Sequence, residues 1–152
     1  MQDFKISIAD LSDVSTVASM FDLYRQFYDQ KPNLEIAAAF IAARVRHDES
    51  IILIAKTATG SGVGFCQLYP TFCSVEAAPI YVLYDLFVRP EYRRSGAGRA
   101  LLLAAEDRAR LNGVVRMDLT TARNNASAQA LYEALGWVRD EVFHTYSRRT
   151  GG

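Results

Sequence analysis

The chain has 152 residues, half of them hydrophobic and 22% charged, which excludes a disordered chain and suits one domain with a buried core. Its 17 basic and 17 acidic residues cancel, which excludes the overall basic field that draws a protein onto nucleic acid or an anionic membrane. The opening MQDFKISIADLSD has no apolar stretch behind a basic start, and no apolar run is long enough to span a bilayer, so a soluble, cytoplasmic protein is expected.

In chain order, FKISIA (residues 4–9) alternates like a first strand. Ser12 or Asp13 is placed to cap a helix carrying Val17, Met20, Phe21, Tyr24 and Tyr28 at helical spacing, with Pro32 breaking it. LEIAAAFIAARV (residues 34–45) reads as a second helix rich in good helix formers. Residues 50–57 and 63–70 are β-rich runs joined by Gly60, Ser61 and Gly62, which predicts an antiparallel hairpin. After a loop, IYVLYDLFV (residues 80–88) is nearly continuous in β-branched, aromatic and aliphatic residues, the pattern of a central strand covered on both faces.

A further helix begins behind RRSGAG and ends at Gly113. It carries Ala97, Leu101, Ala104, Ala105 and Leu111 on one stripe, with Arg108 an exception within it. Residues 114–121 read as a strand, Asn124 or Asn125 caps a helix through Leu135, and residues 141–149 close the chain as a strand. The expected order is β α α β β β α β α β, an α/β (α+β) mixed sheet forming a single domain over residues 1–152. Cys66 and Cys73 belong to no CxxC or Cys/His cluster, and His47 and His144 show no ligand pattern, so no metal site or disulfide is expected.

The segment RRSGAG carries the most chemistry. A strand ending at Val88 delivers the chain through Pro90 to Arg93–Gly98, ahead of a helix whose first amides have no intrahelical partner. Gly96 and Gly98 let backbone approach a ligand, and helix start, free amides and arginines together suit a phosphate or pyrophosphate. The same residues also fit a flexible turn with a solvated charge run. A dinucleotide-binding GxGxxG matches Gly96 and Gly98, with Asp118 about twenty residues on, but Leu101 stands at the third glycine. A Walker A loop fails because GK[ST] is absent.

VRPEYRRSGAG (residues 88–98) fits VxPxxRxxGxG at every position, and so resembles the acetyl-coenzyme A signature of the GNAT superfamily of N-acetyltransferases. NASAQALYEALGW (residues 125–137) is similar to that family's NxxAxxLYxxxGF, with Trp137 in place of Phe. The resemblance implies a mostly antiparallel sheet with a central splayed parallel pair and helices on both faces. It implies acetyl-coenzyme A as cofactor, and transfer to a primary amine of a small molecule or peptide by direct attack in a ternary complex. It also implies pantetheine contacts from the main chain of Phe87 and Val88, and diphosphate contacts from the amides of Arg94, Ser95, Gly96, Ala97 and Gly98. Arg93 matches a loop-shaping basic position, and Arg94 or Arg99 is placed to meet a phosphate. A non-catalytic acyl-coenzyme A sensor on the same fold is the alternative, and a homodimer is open because many relatives pair.

On a helix from Asn124, Asn125, Ala128 and Tyr132 share one face, while Ala130, Leu131 and Ala134 turn to the core. By the resemblance Asn125 bonds the pantetheine, Ala128 leaves it room, and Tyr132 is the general acid for the departing thiolate. An alkylamine with a pKa of about 10.4 must first lose a proton. Where polyamine acetyltransferases carry Glu-Asp, this chain has Tyr84 and Asp85, on opposite faces of a strand. Asp85 is therefore a candidate for substrate binding or proton relay, or a partner for nearby backbone. By the resemblance the acceptor pocket lies along residues 22–33, where Tyr24, Phe27 and Tyr28 with Asp22 and Asp29 suit a cationic, partly apolar amine, and YPTFCSVEAAP is a further wall. Phe21, Tyr24 and Tyr28 equally have the spacing of a core stripe.

Overall fold

The computed structural model describes residues 3–152. They divide into two compact units, the first running up to Thr120 and the second Thr121–Gly152. The first contains a five-stranded sheet: β1 (Lys5–Ile8), β2 (Ile51–Lys56), β3 (Gly62–Cys73), β4 (Ala78–Val88) and β5 (Met117–Asp118). Spatial order follows chain order, with β1 to β4 antiparallel and β5 parallel to β4. Three helices, α1 (Val14–Phe27), α2 (Leu34–Arg46) and α3 (Ala97–Leu111), complete the unit.

Strand alternation sends successive side chains to opposite faces. On one face Ile52, Ile54, Phe65 and Phe87 meet Val17, Met20 and Phe21 of α1 and Ala37 and Ile41 of α2. Phe65 is fully enclosed there, and burying such a ring stabilises the fold by roughly 1.5–3 kcal/mol. On the other face, where α3 packs, a Cβ at Gly64 would lie 2.7 Å from the Phe87 carbonyl oxygen of β4 and 3.3 Å from Leu101 Cδ1 of α3. Glycine at 64 clears the β4 backbone first and leaves room for Leu101 of α3 as well.

Helix ends follow one rule. α1, α2 and α3 each close with a left-handed residue, Asp29 (φ 64°), Asp48 (φ 52°) and Gly113 (φ 69°). The amide of the residue that follows then reaches back over the last turn: Gln30 to Arg25, Glu49 to Arg44 and Val114 to Ala109. This is the Schellman arrangement, which satisfies carbonyls the helix leaves open.

Several sequence expectations change. Neither Ser12 nor Asp13 caps α1 directly; Asp10 caps a 3-10 turn (Leu11–Asp13) that feeds it, accepting from the Ser12 amide at 2.8 Å while Asp13 accepts from the Asp10 amide at 3.0 Å. α1 stops at Phe27, well before Pro32, because the chain turns at Asp29. The expected loop from Tyr69 to Pro79 is instead a long hairpin, with Cys73 opposite Ala78. Pro70 is tolerated because the Tyr81 amide bonds the Arg116 carbonyl, so the Pro70–Tyr81 pair exchanges no ladder bonds, and β2 begins opposite Leu68 and does not reach Pro70. β4 is not covered on both faces throughout, since Tyr84 is 66% exposed. In α3 the buried row is Ala97, Leu101, Leu102, Ala105 and Ala109, and Leu111 is exposed.

The second unit holds α4 (Ala126–Ala134). It too ends in a left-handed glycine, Gly136, with the Trp137 amide bonded to the Tyr132 carbonyl at 3.0 Å. Its small size buries no α4 residue, so Ala130 and Ala134 are exposed rather than core. Residues 141–149 form no strand. Asp140 accepts from the amides of Val142 and Phe143 at 3.0 and 3.2 Å, a local turn that competes with pairing, and both side chains are exposed.

Candidate functional site

The site is built around the last half of β4. Among the described residues β4 and β5 pair only at Tyr81–Met117 and Val82–Asp118, and no described strand pairs with β4 on that side from there to Val88. The β3–β4 register slips between Gln67 and Leu68: Gln67 faces Asp85, Leu68 faces Leu83, and Tyr84 is the extra residue of a bulge. Beyond it the ladder is regular, and the Arg89 amide donates to the Val63 carbonyl at 2.9 Å. By the alternation of antiparallel ladders, Phe87 and Asp85 direct their main-chain groups at β3, while Leu86 and Val88 direct theirs to the open side. Phe87 itself is a core side chain, 6% exposed.

The chain leaving β4 is pinned in place. Arg89 Nε donates to the Gly62 carbonyl at 3.1 Å, and Arg93 Nε returns to the Val88 carbonyl at 3.1 Å, with its guanidinium 5.9 Å from the Phe87 ring centre. Ser95 donates its hydroxyl to the Tyr92 carbonyl. Arg94 (φ 61°) and Gly96 (φ 93°) are both left-handed, which is costly for Arg94 and free for Gly96. Alternating handedness of this kind turns successive amides toward one concavity, an anion nest. Among the described residues the amides of Arg94, Ser95, Gly96, Gly98 and Arg99 donate to no acceptor, and the Ala97 amide makes only a long 3.4 Å contact to Ser95 Oγ. With the start of α3 behind them and the exposed side chains of Arg93, Arg94 and Arg99 around them, these donors suit a diphosphate.

Beneath β4 lies a buried polar chain. The Ser50 hydroxyl donates to Gln67 Oε1 at 2.7 Å, and Gln67 Nε2 donates to Asp85 Oδ2 at 2.6 Å. Gln67 is fully enclosed and Asp85 is 5% exposed. Burial pushes the Asp85 carboxyl above the usual carboxylate range, while hydrogen bonds from Gln67 and Tyr24 pull it back. The single hydroxyl proton of Tyr24, on α1, is directed at the Tyr84 carbonyl at 3.2 Å, beside the bulge. Burial likewise raises Cys66 and Tyr69 to about 12, with the Asp85 charge adding to both.

In the second unit, Asn125 caps α4 by accepting from the Ala128 amide at 3.3 Å. Tyr132 lies on the last turn of that helix, half-buried, its ring centre 6.0 Å from that of Trp137.

Residues 17–137 match the model of the acetyltransferase (GNAT) family. The chain belongs to the GNAT acetyltransferase family. It is 46% identical over 138 residues to the uncharacterized N-acetyltransferase YhfO of Bacillus subtilis, a match covering 91% of this chain and 92% of that one. It is 39% identical over 70 residues to the [ribosomal protein bS18]-alanine N-acetyltransferase of Escherichia coli, covering 46% and 47%. A crystal structure of a probable acetyltransferase superposes with a TM-score of 0.91 at 34% identity, covering 97% of this chain and 99% of that one.

GNAT acetyltransferases take their acetyl group from acetyl-coenzyme A, and the unpartnered amides of 94–99 with the open edge of β4 fit such a cofactor. Among the described residues no group of three or more His, Cys, Asp or Glu is placed to hold a metal, and no helix is long and apolar enough to cross a membrane.

Of the acceptor residues expected on the GNAT chain, Tyr24 and Tyr84 meet at the bulge. Tyr28 packs edge-on to both Tyr24 and Phe27, and Phe27 is 59% exposed. Asp22 is engaged in structure, because its carboxylate accepts from the Asn33 amide at 2.9 Å and from Gln26 at 3.2 Å and so closes the α1–α2 connection. Asp29 supplies the left-handed turn. No sequence motif marks Gln67, Ser50 or Arg89. A glutamine inside the run VGFCQLYP is the one signal for Gln67, since a polar residue amid strand hydrophobics needs a buried partner.

Proposed function

We propose that this GNAT domain, spanning residues 1–152, moves an acetyl group from acetyl-coenzyme A to a primary amine of a small molecule or peptide, by direct attack in a ternary complex. The observation that carries the reading is the set of unpartnered amides of Arg94, Ser95, Gly96, Gly98 and Arg99, wound by the left-handed Arg94 and Gly96 beside the open edge of β4. Those amides hold the diphosphate, with Arg94 or Arg99 adding charge. Arg93 shapes the loop through the Val88 carbonyl. Acetyl-coenzyme A supplies an activated thioester when bound. The Val88 amide, directed away from β3, is the donor assigned to the acyl oxygen, where negative charge builds.

Asp85 and Tyr24 are assigned to the amine side, because a protonated amine has no lone pair for attack. Tyr132 is assigned the proton that the departing thiolate takes at Oη, through its place in LYxxxG. Asn125 and Ala128 are assigned to the pantetheine arm. Neither cysteine suits a covalent acetyl-enzyme: Cys66 is buried with its pKa at about 12, thiolate is the reactive form, and Cys73 lies in the distal β3–β4 hairpin, opposite Ala78. The bS18-alanine acetyltransferase acts on an alanine, so the amine of a peptide N-terminus is within the range of this family's acceptors.

The test is thiol release from acetyl-coenzyme A across a panel of alkylamines, polyamines, amino acids and alanine-ended peptides. Release matched one-for-one by acetylated amine is expected. Saturable coenzyme A binding with no release in any case would leave a sensor in place of an enzyme.

A further inference from the structure

We propose that Gln67 is a positioning residue for proton removal from the acceptor amine, holding the Asp85 carboxylate against the Tyr24 hydroxyl from inside the sheet. The inference rests on the acetyltransfer reading above and adds to it a residue that touches no substrate.

Asp85 is almost wholly enclosed, so an amine does not reach it directly. Tyr24 is half-buried; its one hydroxyl proton rests on the Tyr84 carbonyl at 3.2 Å, next along the strand from Asp85, and the hydroxyl favours the ionised Asp85, so in the relay that proton turns from the carbonyl to the carboxylate. A proton leaving the ammonium breaks an N–H bond and forms an O–H bond at Tyr24 Oη, while the phenolic proton of Tyr24 passes to the Asp85 carboxylate. The nitrogen keeps the electron pair for attack, Tyr24 ends unchanged, and Asp85 ends neutral. The exchange needs a carboxylate that is ionised and correctly turned.

Gln67 provides both. An amide has a donor end and an acceptor end, and the Ser50 hydroxyl engages the oxygen, which leaves Nε2 facing Asp85 at 2.6 Å. A donor there favours the ionised form inside a pocket that disfavours it. The bulge fixes the alignment, since Gln67 stands opposite Asp85 where the register slips. The other titratable or charged groups around Asp85 are Tyr24 from α1, Cys66 and Tyr69 from β3 and Tyr84 from β4; Arg44 and Glu49 of α2 and its exit act on Tyr69.

Two measurements test this on the full chain. Carbon-13 NMR follows the aspartate carboxyls through a pH titration, with the Asp85 signal identified by its loss in Asp85→Asn. Gln67→Met keeps the volume and removes the donor, so the Asp85 midpoint should move to higher pH. Ser50→Ala, which keeps Gln67 but frees its orientation, should move it less in the same direction and guards against a Gln67→Met chain that fails to fold. An unmoved midpoint in both variants overturns the proposal.

Thiol release is then compared for ethylamine and 2,2,2-trifluoroethylamine, the second being largely unprotonated at neutral pH and in no need of a base. Gln67→Met should lower kcat/KM for ethylamine about tenfold or more, shift its acid limb to higher pH, and leave trifluoroethylamine within about twofold. Equal loss on both amines overturns the positioning role and makes Gln67 structural. If the unmodified protein turns over no amine while the Asp85 midpoint still moves, it is the acetyltransfer reading that fails, and the Gln67–Asp85 coupling stands.

Discussion

Gly96 offers the sharpest test of the loop. At φ 93° and ψ 1° it occupies backbone space that side chains with a Cβ resist, at a cost of about 1–3 kcal/mol, with a β-branched residue toward the upper end. Gly96→Val forces a choice: the loop keeps its shape at the expense of stability, or relaxes and must be rewound when ligand binds. Coenzyme A affinity measured by titration calorimetry should fall at least tenfold, which corresponds to about 1.4 kcal/mol. Gly113→Ala is the control. Gly113 is also left-handed at φ 69°, and a Cβ there meets nothing within 4 Å, so it should lose about 1 kcal/mol in urea unfolding with unchanged affinity. If Gly96→Val binds coenzyme A as well as the unmodified chain, the diphosphate is not held at this turn.

Tyr132→Phe should lower turnover while cofactor affinity stays within about twofold, read from thiol release and calorimetry; full activity would remove the general-acid role. Cys73 should react with a thiol reagent in the folded protein while Cys66, buried and raised to about 12, reacts only on unfolding; one fast and one slow thiol per chain is the expected count. Lys56 sits 2.8 Å from Asp13 and holds its carboxyl below the usual carboxylate range. Because the folded pKa is depressed, the stabilisation is present above the unfolded value, about 3.9, and is lost as pH falls through the folded one. Lys56→Met should therefore show a flatter decline of urea stability between about pH 5 and pH 2.

Much of the first unit was legible because its signals are local. The apolar run IILIAK, the alanine-rich LEIAAAFIAAR and the punctuation by Gly60 and Gly113 all act within a few residues, and β2, α2 and the end of α3 fall where expected. The end of α1 was less so, because Asp29 takes the position usually given to glycine. The β3–β4 hairpin was hidden by Pro70, whose placement depends on where β2 begins. The strand expected at 141–149 rested on β-propensity alone, and propensity without a paired neighbour does not make a strand.

At the site, the left-handed Gly96 and the helix start behind it were legible from glycine and spacing, whereas the left-handed Arg94 was not, because nothing in an arginine signals a positive φ, and Gly98 lies within α3. The Ser50–Gln67–Asp85 chain could not be read: it depends on a one-residue slip in register, which sets Gln67 opposite Asp85 and leaves Tyr84 over. Asp85 was named from its place on the strand, but its enclosure and its partners come from three separate elements.

Nitrogen-15 NMR of the labelled chain titrated with coenzyme A puts the central assignment to the most direct test. The account predicts that the amide signals of Arg94, Ser95, Gly96, Gly98 and Arg99 move together along one saturable curve, and that inorganic pyrophosphate moves the same set more weakly. Saturable binding that leaves those five signals in place while others shift would contradict it.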